Sequence, residues 1–341
     1  MRKLRLGHYF GFLVIAGVVL LYCYPLVPGD LTRNVISEIR AFYLRVAWPQ
    51  ITPRQVQEER RQRLEDLCAD PEYSFPGKSR NFTKIPNKEF NNFIVIDKLK
   101  LIYCFVPKVA CTQWKRVLYV LNENLEHQAP ESLNRDFIHD FYKDPKSKKK
   151  NLTAIFSTEL KDYKKFLFVR DPFVRLISAF RDKIESRDEI FYHFALIILK
   201  KYGNISLVPA SPEKARQAGV KPTFTQFIEY LLDPQTENQF PFDDHWRQMY
   251  RLCHPCHIKY DFIGKLETLD EDTAYLLQLL NAEKRIKFPR KYPNQTTTSY
   301  VEQWFRIIPK PWREKLFQLY EPDFTLFGYP KPKQLFPDGE Q

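Results

Sequence analysis

Two short segments of this 341-residue chain carry residue types suited to binding anions. Residues 105–115 read Phe-Val-Pro-Lys-Val-Ala-Cys-Thr-Gln-Trp-Lys, and residues 166–178 read Phe-Leu-Phe-Val-Arg-Asp-Pro-Phe-Val-Arg-Leu-Ile-Ser. Each is an apolar, strand-like run that ends at a basic residue and leads into a helix. The start of a helix has unpaired backbone N–H groups and the positive end of the helix dipole, so it favours an anion. Two such turns predict a ligand with phosphate at two positions.

Adenosine 3′-phosphate 5′-phosphosulfate (PAPS) is a ligand of that kind, and the two segments resemble the 5′-phosphosulfate loop and the 3′-phosphate site of sulfotransferases. The resemblance is to the Golgi carbohydrate sulfotransferases of the HNK-1 type, which include the chondroitin and dermatan 4-O-sulfotransferases. Segments 252–256, 260–268 and 323–329 resemble the same group, and the likeness runs from about residue 92 to residue 329. It implies an α/β fold, P-loop-like, with a central parallel sheet flanked by helices.

The resemblance implies a role for both segments in binding the donor. Lys108 would stabilise the leaving oxygen, as cationic clamps do in phosphoryl transfer, and Thr112 adds a hydroxyl. Arg170 and Ser178 would bind the 3′-phosphate, because a guanidinium group binds phosphate bidentately. The first loop lacks the glycines of a Walker A motif, which argues against a nucleotide kinase. The expected donor-binding residues are Pro107, Lys108, Val109, Ala110, Cys111, Thr112, Gln113, Arg170, Asp171, Pro172, Phe173, Val174, Arg175 and Ser178.

Four residues of this set need a further comment. Asp171 is placed to cap the helix that Pro172 opens. Arg175 is either a second phosphate ligand or a solvated side chain. Gln113 and Val174 stand where the family commonly has Asn and an acidic residue, and neither change removes an expected contact.

A general base is needed because the acceptor hydroxyl must lose its proton as it attacks sulfur, and histidine suits this near neutral pH. His245 is the first candidate, since Asp243 and Asp244 precede it and the resemblance covers its pair with Trp246, which is suited to stack on a sugar. A surface histidine after a turn is the alternative interpretation. The other candidates are His127, His139 and His193, with Glu267 as a lesser one.

The N-terminal residues predict a membrane anchor. Residues 6–29 contain no charged side chain apart from the titratable His8, and Arg2, Lys3 and Arg5 precede them. This asymmetry places the N-terminus in the cytoplasm. The apolar centre is short for a span of about 20 residues, which suits the thinner bilayers of the early secretory pathway. A cleaved signal peptide is the alternative.

The resulting organisation is that of a single-pass type II protein of the Golgi membrane. We expect a cytoplasmic tail at 1–8, a transmembrane signal anchor at 9–27, a proline-punctuated lumenal stem at 28–90 and a catalytic domain at 91–341. The lumenal location makes Asn81, Asn151, Asn204 and Asn294 glycosylation candidates, because each begins an Asn-X-Ser/Thr tripeptide.

The six cysteines are consistent with an oxidising compartment. Cys23 lies in the expected anchor and Cys111 in the first anion loop, which leaves four that could form two disulfides with three possible pairings. The Cys-His-Pro-Cys-His run at 253–257 also suggests zinc, but a structural zinc site needs four ligands and the chain has no second such pair. We therefore expect disulfides and no metal.

The pattern of strands and helices indicates where these residues lie. Strands are expected at 93–96, 101–106, 166–169 and 261–264, the first two joined by a polar turn at Asp97-Lys98. Helices are expected at 55–67, 112–121, 172–184, 223–232, 273–280, 300–307 and 312–319. Strands that alternate with helices favour a parallel sheet covered on both faces.

The net charge of +12 indicates polyanionic partners. A lumenal domain excludes nucleic acid and leaves an anionic glycosaminoglycan or a glycoprotein glycan, and a homodimer is left open. The basic run that contains Lys148, Lys149 and Lys150 is either solvated or part of the acceptor site.

The resemblance implies sulfuryl transfer from PAPS to the 4-hydroxyl of GalNAc in chondroitin or dermatan sulfate. The alternatives are 3-O-sulfation of glucuronate in an HNK-1-type glycan, 4-O-sulfation of GalNAc on an N-glycan, or a non-catalytic basic protein that binds glycans.

Overall fold

The computed structural model describes residues 51–125, 128–143, 162–186, 188–205, 207–239, 241–289 and 296–336. The chain divides into two compact units, Met1–Thr52 and Pro53–Gln341, and all elements below belong to the second. The expected anchor at 9–27, with His8 and Cys23, lies outside the described residues, as do His127, Lys148, Lys149, Lys150, Asn151 and Asn294. Within the described ranges we find no helix that combines the length and the apolar character needed to cross a bilayer.

A four-stranded sheet forms the centre of the domain, in the order β1-β2-β3-β4. The strands are β1 (Phe93–Ile96), β2 (Leu101–Cys104), β3 (Lys164–Val169) and β4 (Phe262–Lys265). β2, β3 and β4 are parallel, whereas β1 pairs antiparallel with β2. The expectation of a central parallel sheet is therefore confirmed only in part, because the sheet is mixed. The connection from β1 to β2 is one short turn, Asp97–Leu99, and a turn of that length can join only antiparallel neighbours.

Helices cover the sheet and line its carboxyl edge. In chain order they are α1 (Pro53–Ala69), α2 (Cys111–Glu123), α3 (Arg135–Lys143), α4 (Pro172–Ala179), α5 (Tyr192–Tyr202), α6 (Pro212–Gln217), α7 (Phe224–Leu232), α8 (Pro234–Gln239), α9 (Met249–Cys253), α10 (Leu269–Leu279), α11 (Ser299–Phe305) and α12 (Lys310–Leu326). Single 3-10 turns occur at Phe82–Lys84, Asn87–Phe90 and Pro130–Ser132, and a π-helical turn, Phe180–Glu185, continues α4. All seven expected helices are present, with shifted ends.

Aromatic side chains pack against one face of the sheet. Trp114 of α2 is fully buried and packs on Phe166 and Phe168 of β3, with ring centroids 5.1 Å away in each case. On the neighbouring strand, a Cβ atom at Gly264 would lie 2.2 Å from the ring of Phe168. Only glycine therefore fits at that point of β4.

Helix α1, which lies in the segment assigned to the stem, packs against the sheet edge. Gln57 accepts a hydrogen bond from the Ile263 N–H (2.9 Å) and donates one to its carbonyl (3.1 Å). Arg60 binds the same carbonyl (2.7 Å) and forms an ion pair with Asp272 (2.8 Å). These side chains pair with backbone groups that the last strand of the sheet would otherwise expose.

Two disulfides complete the domain and settle the pairing that the sequence left open. Cys68 at the end of α1 is bonded to Cys256, and Cys104 at the end of β2 is bonded to Cys253. Disulfide formation, expected in preference to zinc, is confirmed. Cys111 is a free thiol.

Candidate functional site

The loop between β2 and α2 has the backbone geometry of an anion-binding turn. Lys108 and Ala110 adopt left-handed conformations, with φ of 69° and 53°. Such residues direct successive N–H groups toward one point and form an anion-binding nest. Ala110 is the N-cap of α2 and makes no side-chain capping bond, so the first N–H groups of the helix are available to a ligand.

Lys108 projects from this loop into the cavity described below. Its Nζ lies 2.9 Å from Oδ2 of Asp182, and its side chain is 19% exposed. Burial lowers the pKa of Lys108 from its ordinary value, against the opposing effect of Asp182. Asp182 also contacts Lys183 over 3.4 Å, so one carboxylate orients the ammonium group at the cavity wall.

The second motif begins at the end of β3, as expected. The Asp171 carboxylate accepts hydrogen bonds from the N–H groups of Phe173 (2.9 Å) and Val174 (3.0 Å), which confirms its role as the cap of α4. Burial raises the pKa of Asp171 to about 6, although these two bonds oppose the rise. Pro172, Phe173 and Val174 are buried in the core and do not line the cavity.

Arg170 lies between the two motifs. It is 4% exposed, lines the cavity, and donates from Nη1 to the carbonyl of Lys108 over 2.9 Å. Its Nη2 donates to the carbonyl of Thr296. Burial lowers the pKa of Arg170 to about 10, so the guanidinium keeps its charge at neutral pH. With two of its five N–H donors bound to these carbonyls, it has donors left for an anion.

Arg175 takes neither of the two roles considered for it. It is 1% exposed and absent from the cavity wall. Its guanidinium donates to the carbonyls of Pro107 (3.1 Å), Arg247 (2.7 Å) and Asp244 (2.6 Å). The side chain therefore fastens the first anion loop to the loop that carries His245.

One cavity of about 610 Å³ brings most of the expected site residues together. Four of its lining residues are cationic and two are acidic, so the wall carries a net positive charge. From the expected set it contains Lys108, Ala110, Cys111, Thr112, Gln113, Arg170, Ser178 and His245. Residues not expected there are Arg135, Arg181, Asp182, Glu185, Ser186, Leu266 and Thr296, together with His139, which was considered only as a base. Pro107 and Val109 of the first loop do not line the cavity, and Val109 is fully buried.

His245 is paired with the carboxylate that precedes it. Its Nδ1 lies 2.7 Å from Oδ1 of Asp243, which also accepts its backbone N–H over 2.9 Å. An ionised carboxylate only accepts hydrogen bonds, so this contact assigns the ring proton to Nδ1 and leaves Nε2 as the basic atom. Burial lowers the pKa of His245 below its ordinary value, although Asp243 acts in the opposite direction.

The other base candidates differ in position. His139 lines the same cavity, whereas His193 is exposed, contacts the carbonyl of Ile190 and does not line the cavity. The two carboxylate oxygens of Glu267 accept the N–H of Asp171 (2.9 Å) and the hydroxyl of Tyr329 (2.8 Å), and Glu267 does not line the cavity. These contacts give Glu267 a structural role.

Trp246 is not available to stack on a sugar, contrary to expectation. It is fully buried, with its ring centroid 4.8 Å from Phe194 and 5.7 Å from Phe227. Its carbonyl accepts a hydrogen bond from the Tyr320 hydroxyl. The residue after His245 therefore secures the loop from the core side.

Two of the four glycosylation candidates, Asn81 and Asn204, lie among the residues that the structure describes. Asn81 and Asn204 are exposed. Asn81 Oδ1 also caps the 3-10 turn at Phe82–Lys84 through the Thr83 N–H (2.9 Å). Among the residues that the structure describes, no group of three or more His, Cys, Asp or Glu is placed to hold a metal.

Known proteins that are similar to this chain are sulfotransferases. The sulfotransferase family model matches residues 91–330. The chain is 51% identical over 294 residues to carbohydrate sulfotransferase 12 of Mus musculus, covering 83% of this chain and 70% of that protein. It is 34% identical to carbohydrate sulfotransferase 11 of Mus musculus (81% and 76% covered) and 36% identical to carbohydrate sulfotransferase 9 of Homo sapiens (82% and 61% covered). No solved structure matches the chain. A family model that covers both anion-binding motifs, and relatives that cover over four fifths of the chain, establish that it belongs to the sulfotransferase family.

Proposed function

We propose that this enzyme transfers a sulfuryl group from PAPS to the 4-hydroxyl of GalNAc in chondroitin or dermatan sulfate. The observation that carries the proposal is the placement of Lys108, Arg170, Ser178 and His245 around one cavity. These four residues come from three separate parts of the chain, and they would supply a cation for the leaving group, a 3′-phosphate site and a general base. A non-catalytic glycan-binding protein would not need all four at one place.

The cavity wall suits a donor with two anionic ends. The first loop offers N–H groups at the start of α2, and Arg170 and Ser178 lie at the start and end of the second motif. The bound donor supplies a sulfuryl group, whose departure leaves negative charge on the bridging oxygen and the 5′-phosphate. Lys108 stabilises that charge in a partly buried position, where a cation acts more strongly than in water.

The acceptor side of the reaction requires removal of one proton. The acceptor oxygen forms a bond to sulfur while the bond from sulfur to the bridging oxygen breaks, and Nε2 of His245 takes the hydroxyl proton. Asp243 holds the ring so that Nε2 is unprotonated. General base catalysis of this kind contributes about 10²–10⁴-fold to a rate.

The acceptor and the compartment complete the proposal. The curated relatives are carbohydrate sulfotransferases by name, and the family resemblance points to chondroitin or dermatan sulfate. We place the enzyme in the Golgi membrane as a type II protein anchored by residues 9–27, with Asn81, Asn151, Asn204 and Asn294 as lumenal glycosylation sites. The two disulfides support an oxidising compartment.

The test is a radiolabelled-sulfate transfer assay over desulfated chondroitin, desulfated dermatan, an HNK-1-type glycan and an N-glycan with terminal GalNAc. Disaccharide analysis of the products identifies the sulfated hydroxyl. The expected result is 4-O-sulfated GalNAc, lost in Lys108→Ala and retained in Arg216→Ala. Arg216 is a suitable control because it is an exposed cation that pairs with Glu213, away from the cavity. If label enters only the HNK-1-type glycan or only the N-glycan, that glycan is the acceptor instead of chondroitin or dermatan. If label enters no acceptor, the proposal is refuted.

A further inference from the structure

Two histidines line the proposed donor cavity, and their neighbours assign opposite tautomers to them. His245 contacts the carboxylate of Asp243, whereas His139 contacts the amine of Lys115. A carboxylate accepts hydrogen bonds and a lysine ammonium only donates them. The ring nitrogen that carries the proton must therefore differ between the two residues.

The position of Lys115 is well defined by packing. It is 3% exposed on α2, and its Nζ lies over the ring of Phe105, 3.7 Å from the centroid. From there Nζ reaches Nδ1 of His139 at 3.5 Å. Because Nδ1 accepts this hydrogen bond, the proton of the neutral ring lies on Nε2.

The protonated Nε2 of His139 faces the first anion loop. It lies 3.0 Å from Oγ1 of Thr112, which lines the cavity. With Nε2–H as the donor, the hydroxyl oxygen of Thr112 is the acceptor in this contact. The hydroxyl hydrogen of Thr112 is then free to point toward an anion in the loop, as a phosphate oxygen requires.

We infer that His139 is a positioning residue that aligns the Thr112 hydroxyl as a donor to the 5′-phosphate of the sulfuryl donor, through the series Lys115–His139–Thr112. This inference rests on the proposed function of the cavity. It assigns the two histidines different tasks, because His139 presents an N–H group and His245 presents a basic nitrogen.

The electrostatic environment of His139 agrees with this assignment. Burial, and next Lys115, lower the pKa of His139 to about 3. The ring is therefore neutral at the pH of the secretory pathway and a weak base. Arg135 lies one helical turn before it on α3 and also lowers its pKa, so the ring lies in positive surroundings.

The experiment measures binding of adenosine 3′,5′-bisphosphate to the full chain by titration calorimetry, with turnover determined in parallel. The variants are His139→Gln, which keeps an N–H donor near the Nε2 position, His139→Leu, which removes it, and Thr112→Val. We expect Thr112→Val and His139→Leu each to weaken binding about 10-fold, the scale of one hydrogen bond to a charged group. His139→Gln should bind within about 3-fold of wild type, since its amide also donates.

The double variant His139→Leu/Thr112→Val provides the decisive comparison. If the two residues act in series, it binds no more weakly than Thr112→Val alone. Equal loss in His139→Gln and His139→Leu, or additive losses in the double variant, would overturn the inference. A fall of more than about 10²-fold in the turnover of His139→Gln with unchanged binding would instead make His139 the base. If wild type does not bind the nucleotide, the proposed donor site itself fails. Should His139→Leu not fold, a loss of nucleotide affinity in His139→Gln as large as that in Thr112→Val would overturn the inference, because the glutamine amide keeps the donor.

Discussion

The guanidinium of Arg170 donates a hydrogen bond to the backbone carbonyl of Lys108 over 2.9 Å. The two residues belong to different anion-binding motifs, 62 positions apart in sequence. Under the proposed function Arg170 therefore has two roles: it faces the proposed 3′-phosphate site, and it holds the backbone of Lys108, the residue that we propose stabilises the leaving group.

Replacement of Arg170 tests this double role. We expect Arg170→Ala to weaken binding to adenosine 3′,5′-bisphosphate about 100-fold, since hydrogen bonds to charged groups contribute about 1.5–3 kcal/mol each. Turnover at saturating PAPS should also fall, because the Lys108 carbonyl loses its donor. Titration calorimetry and initial rates measure the two effects, with Arg216→Ala as the matched surface control. Wild-type nucleotide affinity in Arg170→Ala would refute its assignment to the donor site.

The pH dependence of turnover tests His245. Its folded-state pKa is lowered from 6.5, and a general base acts in its unprotonated form. The rate should therefore be level above pH 6.5 and fall as the pH drops through the lowered pKa. His245→Ala should reduce turnover by about 10²–10⁴-fold with little change in donor affinity.

The variant Asp243→Asn tests two effects of this carboxylate on His245: it raises the pKa of the ring, and it selects the tautomer with the proton on Nδ1. Removal of the carboxylate removes an influence that raises the pKa of His245, so the acid limb should move to lower pH. The plateau rate should fall as well, because an amide does not select the Nδ1–H tautomer. An unchanged pH profile in this variant would show that the base lies elsewhere.

The two disulfides should differ in their effect on activity. Their loops span 188 and 149 residues, so the chain-entropy model gives each a similar stabilisation of about 5 kcal/mol. Cys104, however, ends β2 just before the first anion loop, and Cys253 ends α9 after the His245 loop. We expect Cys104→Ala/Cys253→Ala to lose both thermal stability and turnover. Cys68→Ala/Cys256→Ala should lower the melting temperature yet keep turnover in the surviving folded fraction.

Salt should affect the two substrates unequally. Arg135 is exposed at the cavity, whereas Arg170 is 4% exposed. Screening acts mainly on exposed charges, and the Debye length falls from about 10 Å at 0.1 M to about 3 Å at 1 M. The KM for the polymer should therefore rise with salt more steeply than the KM for PAPS. Arg135→Glu should reproduce part of this rise, and Lys284→Glu, an exposed charge away from the cavity, should not. If the KM values for the polymer and for PAPS depend equally on salt, the exposed positive charge does not serve to bind the polymer.

Local sequence signals were sufficient for most elements of the fold. Pro172 after Asp171 marks the start of α4, and Thr223, the first residue of the helix expected at 223–232, is the N-cap of α7 in a capping box with Gln226. Helix α3 is not among the expected elements, although Ile138 and Tyr142 are buried one turn apart on it. The short turn at Asp97 explains why β1 is antiparallel to β2. The alternation of strands and helices in the rest of the chain had instead favoured a parallel sheet.

The site was predictable where the chemistry is local and not where it depends on packing. Lys108, Thr112 and Ser178 lie where their motifs indicate, because Lys108 follows the end of β2 and the other two lie within the helices that come after β2 and β3. The π-helical turn at Phe180–Glu185 carries Arg181 and Asp182 to the cavity. A hydrophobic period of 3.6 residues predicts an α-helix, and it cannot predict where a π-helical turn occurs. The burial of Arg175 and Trp246 depends on elements that are distant in sequence, so their roles could not be read from their neighbours.

Helix α1 has a practical consequence for any secreted, soluble version of this enzyme. A protein that starts at residue 91, where the family model begins, would lack Gln57 and Arg60, and the Ile263 carbonyl would lose two donors. It would also lack Cys68, so Cys256 would be left as an odd thiol able to form intermolecular crosslinks during secretion. A portion that keeps Gln57, Arg60 and Cys68 must therefore include α1 from Pro53, well before residue 91, where the family model begins.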